Sequence, residues 1–387
     1  MKKTKIIIIS LLSTLLLSAC NTEYIKNKTY ELTNGKSITL DLDEINPFSN
    51  DTEQIFEPNE DIFSGSEYQY YYSCLSEEDQ LVYRQIYSIF KDRLSNVELS
   101  TKDAEKAGLI LQYVILDNPS IFYVESSEYT KTSNKSGDVL KLEFSAICSM
   151  SESEIQTAQS GIDSFVNGFA YHVSDTMTDY EKALAAYTYI IKNTDYVPDS
   201  PHNQNIYSIV LGQSVCQGYA LMFKYLCDQM NIPCIVVTGM AGNESHAWNL
   251  VYLDNAWSYV DPTFGDNQYL NSDISYSWFG IPCDLMQQNR TINYLELLPS
   301  DNTIENDYYY RNGMYFDSYS LSSIQDIAMG GGIFSFKFSN EAAYNTAVDA
   351  LFTQNDVSRL IVGNSGADVA YITDEESRTV YIKIDNK

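Results

Sequence analysis

The chain has 387 residues, 44% hydrophobic and 20% charged, which is too long for one ordinary core and too apolar for disorder. Two or three globular domains are expected. With 24 basic against 52 acidic residues the net charge is −28, a field that repels phosphate backbones and argues against nucleic-acid binding. The sequence has neither an acidic calcium-loop ladder nor a C-x-x-C pair, and it has three histidines in all, so no metal and no cofactor are expected.

The first element in chain order is a leader. Lys2, Lys3 and Lys5 precede twelve largely apolar residues from Ile6 to Leu17, and Leu17-Ser18-Ala19-Cys20 follows. That run is too short to span a bilayer comfortably, so residues 1–19 are expected to be a cleaved signal peptide. A cysteine directly after Leu-Ser-Ala resembles the bacterial lipobox. The resemblance implies cleavage before Cys20 and lipid attachment there. The mature protein is then secreted and held on the outer face of the cytoplasmic membrane, because several acyl chains anchor stably where one does not. Residues 20–66 are rich in Asn, Asp, Glu, Ser and Thr without period, which suggests a mostly extended tether.

A smaller α+β domain is expected over 67–172. Ser76 and Asp79 look like a helix cap, with Leu81, Tyr83, Ile86, Ile89 and Phe90 at helical spacing behind them. A second helix from about Thr101 carries Ala107, Leu109, Leu111, Val114 and Ile115 and stops at Asn118-Pro119. Strands are expected over Ile121–Val124 and Val139–Phe144, then a helix over 151–170. The next domain, 173–300, opens with a capping box of Thr178 and Glu181 ahead of the apolar stripe Ala183, Leu184, Tyr187, Ile190 and Ile191. A C-terminal α+β domain over 301–387 is expected to hold strands near 333–338 and 368–384 with a helix at 340–352 between them. Tyrosine runs at Tyr70–Tyr72 and Tyr308–Tyr310 suit core and surface packing, with an aromatic binding surface as the alternative.

The chemistry concentrates in the 173–300 segment. Cys216 stands where Gly212–Val215 gives way to a helix marked by Ala220, Phe223, Cys227 and Met230. Free N–H groups and the helix dipole at that position favour a thiolate. Cys227 and Cys234 lie among apolar residues and are expected to be small core side chains. His246–Leu253 and Ala256–Asp261 read as two strands joined by Asp254-Asn255. In that register Leu253 pairs with Ala256, Tyr252 with Trp257, Leu250 with Tyr259 and Trp248 with Asp261. His246 then faces Thr263. His246 and Asp261 therefore share a face within side-chain reach. The arrangement suits thiol acyl transfer: His246 takes the Cys216 proton, Asp261 fixes the imidazole, and the Cys216 N–H offers one oxyanion donor. Gln213 and Tyr207 are candidates for a second donor. His172 and His202 have no such context and are given structural or surface roles.

V-C-Q-G-Y-A at 215–220, H-A-W-N at 246–249 and V-D-P-T-F at 260–264 resemble the sequence blocks of the bacterial transglutaminase-like superfamily, in the same order. The similar stretch is about 178–270. Asp117-Asn118-Pro119-Ser120-Ile121-Phe122 also looks like the region that often precedes this domain. The resemblance implies a papain-like α+β core, with the cysteine helix packed on an antiparallel sheet that carries Cys216's partners His246 and Asp261. It implies a cysteine peptidase, amidase or acyltransferase acting on peptide or protein amides, with cell-wall peptides plausible from location. Hydrolysis and transfer to an amine both stay open. An inactive binding or scaffold lipoprotein that keeps the fold is the alternative, and a two-lobed solute-binding lipoprotein is a weaker one.

Overall fold

The computed structural model describes residues 34–39, 56, 58, 62–63, 68–198, 204–266, 274–328, 332–360 and 368–385. The expected leader, Cys20 and His202 lie outside them. The chain is α+β with largely antiparallel sheets. No helix among the described residues is long and apolar enough to cross a membrane.

The first sheet has the order β1-β3-β4-β2, from β1 (Asn34–Thr39), β2 (Val97–Glu98), β3 (Ser126–Ser133) and β4 (Val139–Ile147). Helices α1 (Tyr70–Ser73), α2 (Glu77–Lys91) and α3 (Ala104–Asp117) pack together beside it, and α4 (Glu152–Ala170) follows. Ser76 caps α2 as expected, its hydroxyl accepting the Asp79 N–H at 3.3 Å. Helix α3 starts later than Thr101. The Thr101 hydroxyl accepts the Asp103 N–H, and Asp103 is the residue that caps the helix, accepting from Glu105 and Lys106. The strand expected at Ile121–Val124 begins instead at Ser126, because a turn from Asn118 to Ile121 tucks Phe122 into the core. Part of the stretch read as a tether is docked: β1 pairs parallel with β3 from Asn34–Glu128 to Thr39–Ser133. Phe63 packs at 4.8 and 5.0 Å from the rings of Tyr72 and Tyr87. β-Branched Ile38 and Thr39 suit a strand, and an aromatic ring gains by burial.

Asp117, in the last turn of α3, caps α1 from a distance. Its carboxylate accepts the N–H groups of Tyr71 and Tyr72 at 3.1 and 3.0 Å and the Tyr83 hydroxyl at 3.0 Å. Burial pushes its pKa up to about 6, against the opposing pull of Lys224 and of these hydrogen bonds.

The second sheet is antiparallel in the order β10-β9-β8-β7-β11. Its strands are β7 (Cys234–Ala241), β8 (Glu244–Leu253), β9 (Ala256–Val260), β10 (Phe279–Ile281) and β11 (Arg290–Ile292); β5 (Asp195–Tyr196) and β6 (Gln213–Ser214) form a separate parallel pair. Around them lie α5 (Asp179–Lys192), α6 (Ile206–Val210), α7 (Cys216–Gln229), α8 (Pro262–Gly265) and α9 (Cys283–Asn289). Both halves of the Thr178–Glu181 capping box form. Helix α7 packs on β7 and β8, with Cys227 and Cys234 buried in the core as expected. One continuous core runs from Tyr71 to Leu298.

The remaining residues form α10 (Tyr308–Arg311), α11 (Leu321–Ala328), α12 (Glu341–Val348) and a sheet ordered β12-β13-β15-β14. Its strands are β12 (Tyr315–Phe316), β13 (Gly332–Phe338), β14 (Asp368–Asp374) and β15 (Thr379–Asp385). This unit has its own core, around Phe336, Phe338, Leu351, Val380 and Ile382. The helix expected over 340–352 is α-helical only to Val348 and then widens into a π turn over Asp349–Thr353. Packing accounts for much of the tyrosine runs: Tyr71 stacks on Tyr113 at 4.7 Å, Tyr308 on Tyr276 at 4.1 Å, and Tyr309 is fully buried.

Candidate active site

Cys216 is the first residue of α7, after Val215, whose apolar side chain cannot cap. The first-turn N–H groups are therefore not taken by a side-chain cap at Val215, which suits them to a negative charge. The close approach of α6 and β6 fixes this end of the helix. A Cβ at Gly218 would collide with the Ser208 and Ser214 hydroxyls, which bond each other at 2.6 Å, so glycine is required there. One residue on, the Tyr219 hydroxyl donates to Asp266 at 2.6 Å and ties α7 to the loop after α8. Asn249 of β8 donates to the Ala220 carbonyl at 2.9 Å, linking the histidine strand to the cysteine helix.

The β8–β9 hairpin has the expected register, with Leu253–Ala256, Tyr252–Trp257 and Leu250–Tyr259 paired. Asp254 and Asn255 both adopt positive φ, 43° and 79°, as a type I′ turn requires. Beyond Val260 the expectation needs correcting. Proline at 262 starts a helical turn, so the ladder ends and Thr263 does not pair with His246. Asp261 becomes the cap of α8, with Oδ1 accepting the Phe264 N–H at 3.2 Å. Its Oδ2 lies 2.8 Å from His246 Nε2, and the carboxylate is fully buried.

The Cys216 thiol lies close enough to His246 to raise the imidazole pKa. With Nε2 on Asp261, Nδ1 is the ring nitrogen left for sulfur. Burial opposes protonation of the imidazole, but the Asp261 charge and hydrogen bond, with the Cys216 contact, push its pKa up to about 10. The ring is held by Trp248, stacked at 5.7 Å, and by Phe264, edge-on at 5.1 Å. The three side chains thus come together at the margin of the core, Cys216 6% and His246 7% exposed.

Several neighbours went unread in the sequence. Tyr196 lies opposite Ser214 in the β5–β6 pair. Burial, then the negative charges of Cys216 and Glu244, push its phenol up to about 12, which puts its hydroxyl in the field of the thiol. Arg290 lies under Phe264 and Trp278, and no local pattern marked it. Of the donors suggested earlier, Tyr207 packs on Phe122 and Gln213 is exposed on β6. His172 is exposed beside Tyr189.

Residues 167–262 match the family model of the transglutaminase-like superfamily, so the chain contains a domain of that superfamily. Over 127 residues it is 28% identical to the kyphoscoliosis peptidase of Homo sapiens and 26% identical to that of Mus musculus. Each match spans 28% of this chain and 19% of the relative's own length. A solved structure described as a TGase aligns at 14% identity and a TM-score of 0.26, over 36% of this chain and 46% of that one. The superfamily includes cysteine peptidases and acyltransferases.

Proposed function

We propose that the protein is a bacterial, extracytoplasmic, lipid-anchored thiol enzyme that cleaves peptide amide bonds or transfers their acyl groups through Cys216, His246 and Asp261. One observation carries this reading: His246 is held by Asp261 on one ring nitrogen while the other is left to a thiol at the start of a helix. The name of the kyphoscoliosis peptidases points the same way.

In this reading the Cys216 proton passes to His246 Nδ1, and Asp261 stabilises the resulting imidazolium. The thiolate attacks the amide carbon, and the new oxyanion takes a hydrogen bond from the Cys216 backbone N–H. His246 returns its proton to the leaving amine as the C–N bond breaks, giving an acyl-enzyme. Water or a second amine then attacks the thioester and releases the thiol. The lipid anchor rests on Leu17-Ser18-Ala19-Cys20 and the basic–apolar leader.

The test is alkylation of Cys216 by iodoacetamide as a function of pH, read by peptide mass spectrometry because Cys74 is also exposed. Labelling should be fast well below the ordinary thiol range of about 8.5 and should slow sharply in His246→Ala. Ordinary thiol behaviour in both proteins would overturn the enzyme reading and favour a binding scaffold. Cys20→Ala should release the protein from membranes; membrane retention would remove the anchor.

A further inference from the structure

We propose that Arg290 forms a carboxylate-binding subsite beside the thiol centre. The preferred acyl donors are then peptides bearing a free carboxylate near the scissile amide, and Glu376 holds the neighbouring Nη1 of the same guanidinium in the resting chain. The inference rests on the thiol-enzyme reading above and adds its substrate class.

The sheet register places Arg290 on the catalytic face. It pairs with Ala241 of β7, and Ala241 pairs with Glu244 of β8; two residues along, Ile292 pairs with Gly239 and Gly239 with His246. Residues two apart along a strand project from the same side, so Arg290 and His246 share a face. Phe264 joins them, its ring meeting His246 edge-on at 5.1 Å while the guanidinium carbon lies over it at 4.6 Å. Trp278 flanks the guanidinium on another side at 4.3 Å. Phe264 is 37% exposed while the Arg290 side chain beneath it is fully buried, so a ligand reaches the guanidinium only by displacing that ring.

The guanidinium itself is half used. Its Nη1 donates to Glu376 Oε2 at 3.1 Å and to the Asn289 carbonyl at 3.3 Å. Its Nε and Nη2 are buried and have no partner among the described residues. Those two N–H groups form one edge of the planar fork, parallel and spaced to take both oxygens of a carboxylate. Leaving them idle in the interior costs on the order of 1–3 kcal/mol per group, a penalty a purely structural arginine would be expected to avoid. Aromatic faces above the charge keep water out without satisfying the N–H groups, which suits a site held ready for an anion.

Glu376 leaves the fork free. Its side chain is 51% exposed, it sits in the turn between β14 and β15, and it engages one nitrogen rather than the fork. The net charge of −28 does not draw anions inward, so discrimination must come from contact with Arg290 rather than from steering.

The experiment compares two probes, chloroacetyl-Gly-Glu amide and chloroacetyl-Gly-Gln amide, which differ only in a carboxylate, by their rates of Cys216 alkylation in the full-length protein. The acidic probe should react about tenfold faster in the wild type, the ratio that about 1.4 kcal/mol of selective binding gives. Arg290→Gln should bring the ratio to about one by slowing the acidic probe, and Glu376→Gln should raise it by removing the carboxylate that competes for the guanidinium's charge. If Arg290→Gln does not fold, Glu376→Gln and Arg290→Lys decide, because lysine keeps the charge without the fork and should lower the ratio. Fast, His246-dependent labelling with a ratio near one in the wild type and in Glu376→Gln overturns the subsite alone, as does a ratio unchanged by Arg290→Gln. Slow labelling by both probes that His246→Ala does not alter overturns the thiol-enzyme reading, and the subsite falls with it.

Discussion

The C-terminal unit meets the β7–β11 sheet around two buried cations that are satisfied very differently. At one, Lys337 Nζ lies 2.6 Å from Asp307 and 3.2 Å from the Ser277 carbonyl, with both charged side chains fully buried. The Tyr381 hydroxyl beside it bonds the hydroxyls of Ser275 and Ser277 and is approached by Tyr309. At the other, Arg290 meets a half-exposed glutamate and leaves one edge unused. The first contact is a rivet, because removing any member strands the others in the interior. The second is a clasp, because its acidic half already lies partly in water. His246 with Asp261 falls between them, fully paired on one ring nitrogen and turned toward chemistry on the other.

The sharpest way to break this comparison is Lys337→Met, which leaves Asp307 buried without its cation. It should cost about 3–5 kcal/mol in urea unfolding, and adding Asp307→Leu should recover much of it. A cost under about 1 kcal/mol would mean that the rivet description is wrong. Next comes Asp261→Asn, which keeps a capping side chain on α8 but removes the charge beside His246. The folded pKa of His246, about 10, lies above its ordinary 6.5, so the folded state holds the proton more tightly. That stability is fully present below about 6.5 and is lost as pH rises through about 10. The wild-type advantage over Asp261→Asn should therefore be on the order of 3 kcal/mol near pH 6 and shrink toward pH 10, as read by unfolding at several pH values. An advantage that grew with pH would contradict it. Tyr381→Phe should cost about 1–2 kcal/mol by leaving the two serine hydroxyls short of a partner. Glu376→Gln should be smallest, about 1 kcal/mol by thermal unfolding, because the amide oxygen can still accept from Arg290 Nη1.

What could be read from the sequence was what local chemistry decides. The Thr178–Glu181 box and the Ser76 cap involve residues three apart, and both formed. The partnership of His246 and Asp261 followed from a two-residue turn and the alternation of side chains, which are also local. What the sequence hid was long-range. Asp117 caps a helix that lies ahead of it in the chain, and nothing near Tyr71 announces that partner. Arg290 reaches the face that carries His246 only because a three-residue strand adds to the edge of β7, a pairing no motif records. Asp261 was assigned to a strand end, and its second task as a cap depended on Pro262 turning the chain. The docking of β1 was hidden for the same reason, since its partner strand lies far along the chain.

That docking has a mechanical side. A load applied at Asn34 enters the folded body through β1. A tug along the strand axis pulls on all six residues paired with β3 in shear, instead of peeling them off singly. Behind it, the grip of Asp117 on the backbone of Tyr71 and Tyr72 makes a second hitch. A pull applied at Asn34 thus meets two grips before it reaches Cys216, His246 and Asp261.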